Sequence, residues 1–244
     1  MSKVLSKSRT KIVYSDGIAI RKYSPQDEQV VRTLCCDTAY FGEPCEAFFT
    51  DRELLADLIM KYYTDYEPEH LWIAEYIGEI VGYISACFDE AKCKSIMLFK
   101  IIPPSIIPAL IRGKIWDRKT YKMIVYIVKS ILLKETKLVN LNYKEFPVHF
   151  HQNIKKGFRG RGIGNKLLIA LLEEVEREKL SGVRFRALRH EPWFPFFEKY
   201  GFKKFDCKRV RSWEAWFKKV PLYFMEYGKS FYDSQSTKQE VKAK

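Results

Sequence analysis

Arg159-Gly160-Arg161-Gly162-Ile163-Gly164-Asn165-Lys166 stands between two segments of different periodicity. Before it, Pro147 to Ile154 alternates apolar and polar residues. After it, Asn165 to Lys179 carries Leu167, Leu168, Leu171, Leu172 and Val175 at helical spacing. The reading is strand, glycine-rich turn, helix. Gly160, Gly162 and Gly164 remove the Cβ atoms that would block close approach to the backbone. The first helical turn offers unpaired N–H groups, and the helix dipole adds positive potential. Arg159, Arg161 and Lys166 bring positive charge to the same place. Such a turn suits a pyrophosphate.

Three phosphate-binding patterns are separable here. A P-loop requires Lys-Ser or Lys-Thr after its last glycine, and the chain has Asn165-Lys166 instead. A dinucleotide fingerprint wants a small residue where Leu167 stands, and normally lies in an early strand–helix–strand unit. The pattern that fits is Arg/Gln-x-x-Gly-x-Gly/Ala, with Arg159, Gly162 and Gly164. It resembles the acyl-CoA signature of the GNAT superfamily of N-acetyltransferases.

The chain has 244 residues, 47% of them hydrophobic, enough for one substantial core. Its net charge of +13 suits anionic ligands. The charges are scattered, with no zinc-ligand spacing and no aromatic RNA-binding signature, so no nucleic-acid partner is expected. None of the six cysteines forms a Cys-x-x-Cys pair and the N-terminus shows no signal-peptide pattern, which predicts a reduced cytoplasmic protein. The most apolar run, Ser95 to Gly113, is broken by Lys100, Pro103, Pro104 and Pro108, so no membrane span is expected. A homodimer is left open.

Along the chain, Gly17 to Tyr23 alternates as a first strand. Ser24-Pro25-Gln26-Asp27 starts a helix, and Thr50-Asp51-Arg52-Glu53 reads as a capping box opening a second, through Tyr63. Leu71 to Tyr76 and Glu79 to Phe88 read as a hairpin turning at Gly78. Residues 90–143 read as a helical insertion, with a helix over Lys119 to Glu135. Val183 to Leu188 is a further strand. Trp193 to Tyr200 is a short helix stopped by Gly201, and Lys203 to Val210 with Val220 to Tyr227 is a last strand pair. One domain over 12–232 and a mobile polar tail over 233–244 are predicted.

This order resembles the GNAT fold from Ile18 to Tyr227, apart from the insertion. The landmarks are the hairpin Glu75 to Tyr83, the glycine turn, Phe196-Phe197-Glu198-Lys199-Tyr200-Gly201-Phe202, and Val220-Pro221-Leu222-Tyr223-Phe224-Met225. The resemblance implies an α/β (α+β) fold: a mixed, mostly antiparallel sheet with splayed central strands, flanked by helices, with the insertion between the third and fourth strands. A narrower resemblance, carried by Phe146-Pro147-Val148-His149-Phe150-His151-Gln152-Asn153 and the insertion before it, is to a prokaryotic subgroup related to the acetyltransferase-like domain of O-GlcNAc hydrolases.

The resemblance further implies an enzyme that transfers an acetyl group from acetyl-CoA, its cosubstrate, to a primary amine by direct attack. A non-catalytic CoA-binding or protein-interaction module of the same fold is the alternative. By resemblance, the backbones of Asn153, Ile154 and Lys155 would pair with the pantetheine amides. Arg159 belongs to the signature, and the N–H groups of Gly160, Arg161, Gly162, Ile163, Gly164, Asn165 and Lys166 would hold the pyrophosphate. An ammonium ion must lose a proton before it attacks, so a base is required near the fourth strand. His149 and His151 lie two apart on one face of that strand, and imidazole titrates near about 6.5. His151 is favoured, lying nearer the expected thioester. Phe197 occupies the position where the superfamily commonly carries an acidic tyrosine; His190 and Tyr200 are the candidate substitutes. Asp37, Glu43, Glu46 and Asp51 are candidates to attract the acceptor's ammonium group, and Tyr40, Phe41, Phe48 and Phe49 to line its pocket.

Overall fold

The computed structural model describes residues 4–5, 11–113, 116–138, 141–218 and 220–231. The predicted tail over 233–244 lies outside them. Nine strands form one sheet: β1 Val4–Leu5, β2 Ile12–Val13, β3 Ile18–Lys22, β4 Leu71–Tyr76, β5 Glu79–Cys87, β6 Val148–Ile154, β7 Gly182–Arg189, β8 Lys203–Arg209 and β9 Tyr223–Ser230. Their spatial order is β1-β2-β3-β4-β5-β6-β7-β9-β8. All neighbours are antiparallel except β6 and β7. The mixed, mostly antiparallel sheet expected from the sequence is therefore present. The β1–β2 pair extends it beyond the predicted first strand; these strands are only two residues each, too short for period-two alternation to register.

The β4–β5 hairpin turns at Ile77 and Gly78, whose φ angles are 50° and 83°. Two successive positive φ values give the turn whose twist matches the flanking strands. On one face of the sheet lies α6 (Ile163–Arg177). Its Leu167, Leu168, Leu171 and Val175 are fully buried in a cluster with Ile84, Val148, Phe150 and Phe185. Each such side chain stabilises the fold by about 1.5–3 kcal/mol. On the other face lie α1 (Glu28–Thr38) and α2 (Arg52–Asp65), packed through Val31, Met60 and Tyr63 on Ile73, Tyr83 and Cys87. Asp51, rather than Thr50, caps α2: its carboxylate accepts the Leu54 N–H at 3.2 Å, while the Thr50 hydroxyl meets Thr120 instead.

The insertion is helical, as predicted, in three pieces: α3 (Glu90–Ile96), α4 (Ile102–Ile111) and α5 (Arg118–Leu132), with a π-helical turn, Met97–Ile101, joining the first two. Ile96 and Ile101 enter the α1–α2 cluster, and Ala109 joins a third cluster around Phe48, Phe49, Leu54 and Phe217. The insertion thus shares the domain's core. Two further short helices, α7 (Pro195–Glu198) and α8 (Arg211–Phe217), complete the fold. The sequence reading places α7 within a longer helix and does not anticipate α8, which fills the connection between β8 and β9.

Candidate active site

β6 and β7 pair at only two positions, Val148 with Val183 and His149 with Arg184, and then part. β6 remains paired with β5 from His149, opposite Cys87, to Ile154, opposite Gly82. Beyond His149, one edge of β6 therefore has no strand partner. Backbone groups alternate sides along a strand. The Lys155 N–H bonds to the Val81 carbonyl on the β5 side at 2.8 Å. Alternation puts Asn153 on that side too, and turns the main-chain groups of Gln152 and Ile154 toward the gap. Among the expected backbone contacts, Ile154 faces the opening, whereas Asn153 and Lys155 are committed to β5. Gln152 was not singled out from the sequence. Counting alternate residues back from a strand end would have found it, but only with the end fixed.

The glycine turn closes the open end of this fork. Gly160 and Gly162 have φ of 79° and 75°, and a Cβ on either would meet nothing within 4 Å, so the space above them is free. Gly162 is the N-cap of α6 and carries no side chain that could cap it. The N–H groups of Ile163, Gly164 and Asn165 thus begin the helix without carbonyl partners inside it. Lys166 is different: its N–H bonds to the Gly162 carbonyl at 3.2 Å and its ammonium pairs with Asp16. It belongs to the scaffold rather than to the cradle. Gln152 Nε2 donates to the Gly164 carbonyl at 2.7 Å, tying β6 to the helix start. Arg159 reaches across to the α1–α2 connection, donating to the carbonyls of Ile154 (3.2 Å) and Phe41 (3.4 Å). A Cβ on Gly42 would overlap its guanidinium. Arg161 stays exposed over the rings of Phe158 and Tyr76.

His149 and His151 share the β6 face that looks toward α1 and α2, their ring centroids 6.1 Å apart. Their settings differ. His149 bonds through Nε2 to the Tyr63 hydroxyl and through Nδ1 to Glu90, both at 3.0 Å. Glu90 also pairs with Arg184, and Arg184 with the fully buried Glu226 at 3.0 Å. Burial opposes a charge on His149, but the Cys87 sulfur beside it and the Glu90 carboxylate outweigh that and raise it to about 9. Burial would likewise raise Glu90, yet His149, Arg184 and Lys94 hold it well below the usual carboxylate range. His149 is therefore an imidazolium locked in an ion-pair chain at neutral pH. His151 is exposed to water and lies edge-on to the rings of Tyr63 and His149. Its surroundings first, and the charge on His149 second, push it down to about 4, so it is neutral with a lone pair available. Directly opposite it on β5, the Ser85 hydroxyl is buried and finds no partner among the described residues.

Cys87, Cys93 and His149 offer ligand atoms within 4.8 Å of one another. Both ring nitrogens of His149 are already engaged, so a metal would have to displace Tyr63 or Glu90. Glu90, Tyr63, Ser85, Cys87 and Arg184 were not singled out from the sequence. No local motif marks them; strand register and the first turn of the insertion bring them together.

Other expectations change. Phe197 is buried in an aromatic cluster, 4.1 Å centroid to centroid from Phe185, where a hydroxyl would have no place in the chemistry. His190 bonds through Nδ1 to the Pro221 carbonyl at 2.9 Å and lies against Phe41. All four candidate acceptor carboxylates are already neutralised: Asp37 and Glu46 by Arg52, Glu43 by Lys156, and the buried Asp51 by Arg112. Tyr40, Phe48 and Phe49 are packed in the third cluster, Tyr40 donating to the Phe217 carbonyl at 2.5 Å. Two surface hollows lie away from the fork, one between α5 and α8 and one beside Arg21 and Glu75.

Residues 107–218 match the model of the Acetyltransferase (GNAT) domain family. No curated protein matches the sequence. Among solved structures, one described as SsHAT superposes at a TM-score of 0.65 and 20% identity, over 89% of this chain and 100% of that one. A Drosophila melanogaster polyamine N-acetyltransferase that forms N-acetylagmatine superposes at 0.52 and 12% identity, over 88% and 100%. The putative acetyltransferase yncA of Salmonella typhimurium, solved with its cofactor acetyl-CoA, superposes at 0.51 and 13% identity, over 89% and 95%. At these identities the likeness is one of fold.

Proposed function

Fold and family model both support the GNAT superfamily, and from that premise we propose that the chain transfers the acetyl group of acetyl-CoA to a primary amine, with His151 taking the amine's proton. The observation that carries this reading is the pairing of a neutral, water-facing His151 with the unpartnered Ser85 hydroxyl opposite it, beside the parted edge of β6. The extended arm of the cosubstrate would lie along the gap against the main chain of Gln152 and Ile154, its pyrophosphate over Gly160 to Asn165. The acceptor's ammonium group, directly or through a water held between His151 and Ser85, gives one proton to the imidazole, which passes it on to solvent. The amine nitrogen then bonds to the thioester carbon, an N–H of the open β6 edge stabilises the oxyanion, the nitrogen's second proton leaves by the same His151 route to solvent, and the C–S bond breaks. The thiol's ordinary pKa of about 8.5 lets it leave as thiolate and collect a proton from solvent, which makes the loss of a tyrosine at Phe197 tolerable. His149 acts as a positioning residue through the Glu90–Arg184 chain. A reducing, cytoplasmic setting belongs to the proposal, supported by six cysteines that are all free.

Acetyl-CoA at about 100 times its dissociation constant should stabilise the protein by roughly 2.7 kcal/mol, a rise on the order of 5–10 °C, with ADP and NAD as controls. His151→Ala should keep that shift while lowering kcat on an amine panel by about 10²–10⁴. His149→Gln should remove the alkaline limb that deprotonation near pH 9 otherwise gives the rate profile. Absence of any acetyl-CoA shift overturns the reading. A shift without turnover of any amine favours the second reading, a cofactor-binding module, which the burial of Phe197 in the aromatic core motivates.

A further inference from the structure

α5 buries the wrong side of itself for an ordinary surface helix. Thr120 and Ser130 are fully buried, and Met123 and Ile127 are half-buried beside them. Tyr121, Ile124, Val125, Val128, Ile131 and Leu132 recur at helical spacing on another side and face solvent, Ile131 at 61% and Leu132 at 75% exposure. At 100° per residue, Arg118, Lys122 and Lys129 fall just beyond one border of that apolar face, all exposed. The neighbouring corner continues the pattern. Arg112, just past α4, and Thr120 at the start of α5 both meet the Thr50–Asp51 pair, so the two helices share an inner anchor and turn their other sides outward. There Ile111 is 83% exposed and Trp116 77%.

The charge around this face is one-sided. From Ala91 to Lys134 the chain has ten lysines and arginines and one acidic residue, Asp117. A second copy packed on the same face would bring Arg118, Lys122 and Lys129 against their own equivalents with only Asp117 to offset them, which opposes self-association. An anionic surface with an apolar interior meets both features at once: acyl chains accept the apolar face and phosphate head groups the basic flank, with aromatic residues at the boundary. Glu90 through Ile111 is a helical stretch of 22 residues, long and apolar enough by composition to cross a bilayer. Its first residue, however, is held in the ion pairs with His149 and Arg184, and Ile101 and Ala109 are fully buried in the domain. While folded, this stretch stays with the domain.

We infer that the outward face of α5 and the α4–α5 corner form an interfacial site for anionic lipid bilayers, lying on the surface without spanning it. The test is co-sedimentation of the full chain with phosphatidylcholine vesicles, with and without phosphatidylglycerol, at low and high salt. Binding is expected to the anionic vesicles and to weaken with salt. A basic residue near such a surface contributes about fivefold, so K122E combined with K129E should weaken partitioning about 25-fold or more. Leu132→Asp should weaken it comparably by removing apolar contact. Both variants alter exposed side chains, and unchanged thermal melting confirms that they fold. Equal binding to neutral and anionic vesicles overturns the inference. So does absence of binding to either, including the case in which sedimentation velocity reveals a dimer that Leu132→Asp dissociates, which would assign the face to a second copy.

Discussion

α5 and α6 are both fifteen residues long, both amphipathic, and both placed against the same domain, yet they are folded in opposite senses. α6 turns its leucines inward and leaves Glu173, Glu176 and Arg177 to water; α5 turns Thr120 and Ser130 inward and leaves Ile124, Val125, Val128, Ile131 and Leu132 outside. The contrast separates two properties that periodicity alone conflates. An apolar stripe says that a helix needs an apolar neighbour, not that the neighbour belongs to the same chain.

Substitutions can break this contrast. Leu171→Ala on α6 should cost the most, about 3–4 kcal/mol measured by urea unfolding, because it removes a fully buried side chain from a packed cluster. Next is Glu174, also on α6 and 3% exposed. Burial would raise its pKa, but bonds from His70, Lys22 and the Trp72 N–H outweigh that and lower it to about 2. Its contribution is fully present above the ordinary carboxylate range and is lost as pH falls through about 2. Glu174→Gln should therefore cost about 2–3 kcal/mol at neutral pH and flatten the acid side of the stability profile, in melts across pH 2 to 7. The smallest effect is expected on α5, where Ile131→Ser should change stability by no more than about 0.5 kcal/mol. A loss there as large as that of Leu171→Ala would erase the distinction between the two helices.

Much of the scaffold could be read from the chain. The glycine turn, the hairpin around Gly78 and the leucines of α6 are local patterns with local causes, and with them the order of strands from β3 onward could be read. What escaped was set by packing. Asp51 and Thr50 are adjacent and both suited to capping; the ion pair with Arg112 and the contact with Thr120 hold them in their separate roles. The four candidate acceptor carboxylates are indistinguishable in sequence from free ones, because Arg52, Arg112 and Lys156 reach them only in the fold. The histidine pair was legible as a pair. Its division into a charged member and a neutral one was not, since Glu90 lies 59 residues before His149 and meets it only through the first turn of the insertion.

The parting of β6 from β7 should also be visible in time. From His149 toward Ile154, the amides of His151 and Asn153 lie under β5, while those of Gln152 and Ile154 look into the gap without a partner strand. Hydrogen–deuterium exchange along this one strand should alternate, slow and fast, with a period of two residues. At the vertex, where Arg184 and Glu90 hold the strands together, exchange should be slow at every residue. A ligand lying in the gap would quench the fast amides and leave the slow ones unchanged. The strand would thus report its own occupancy residue by residue.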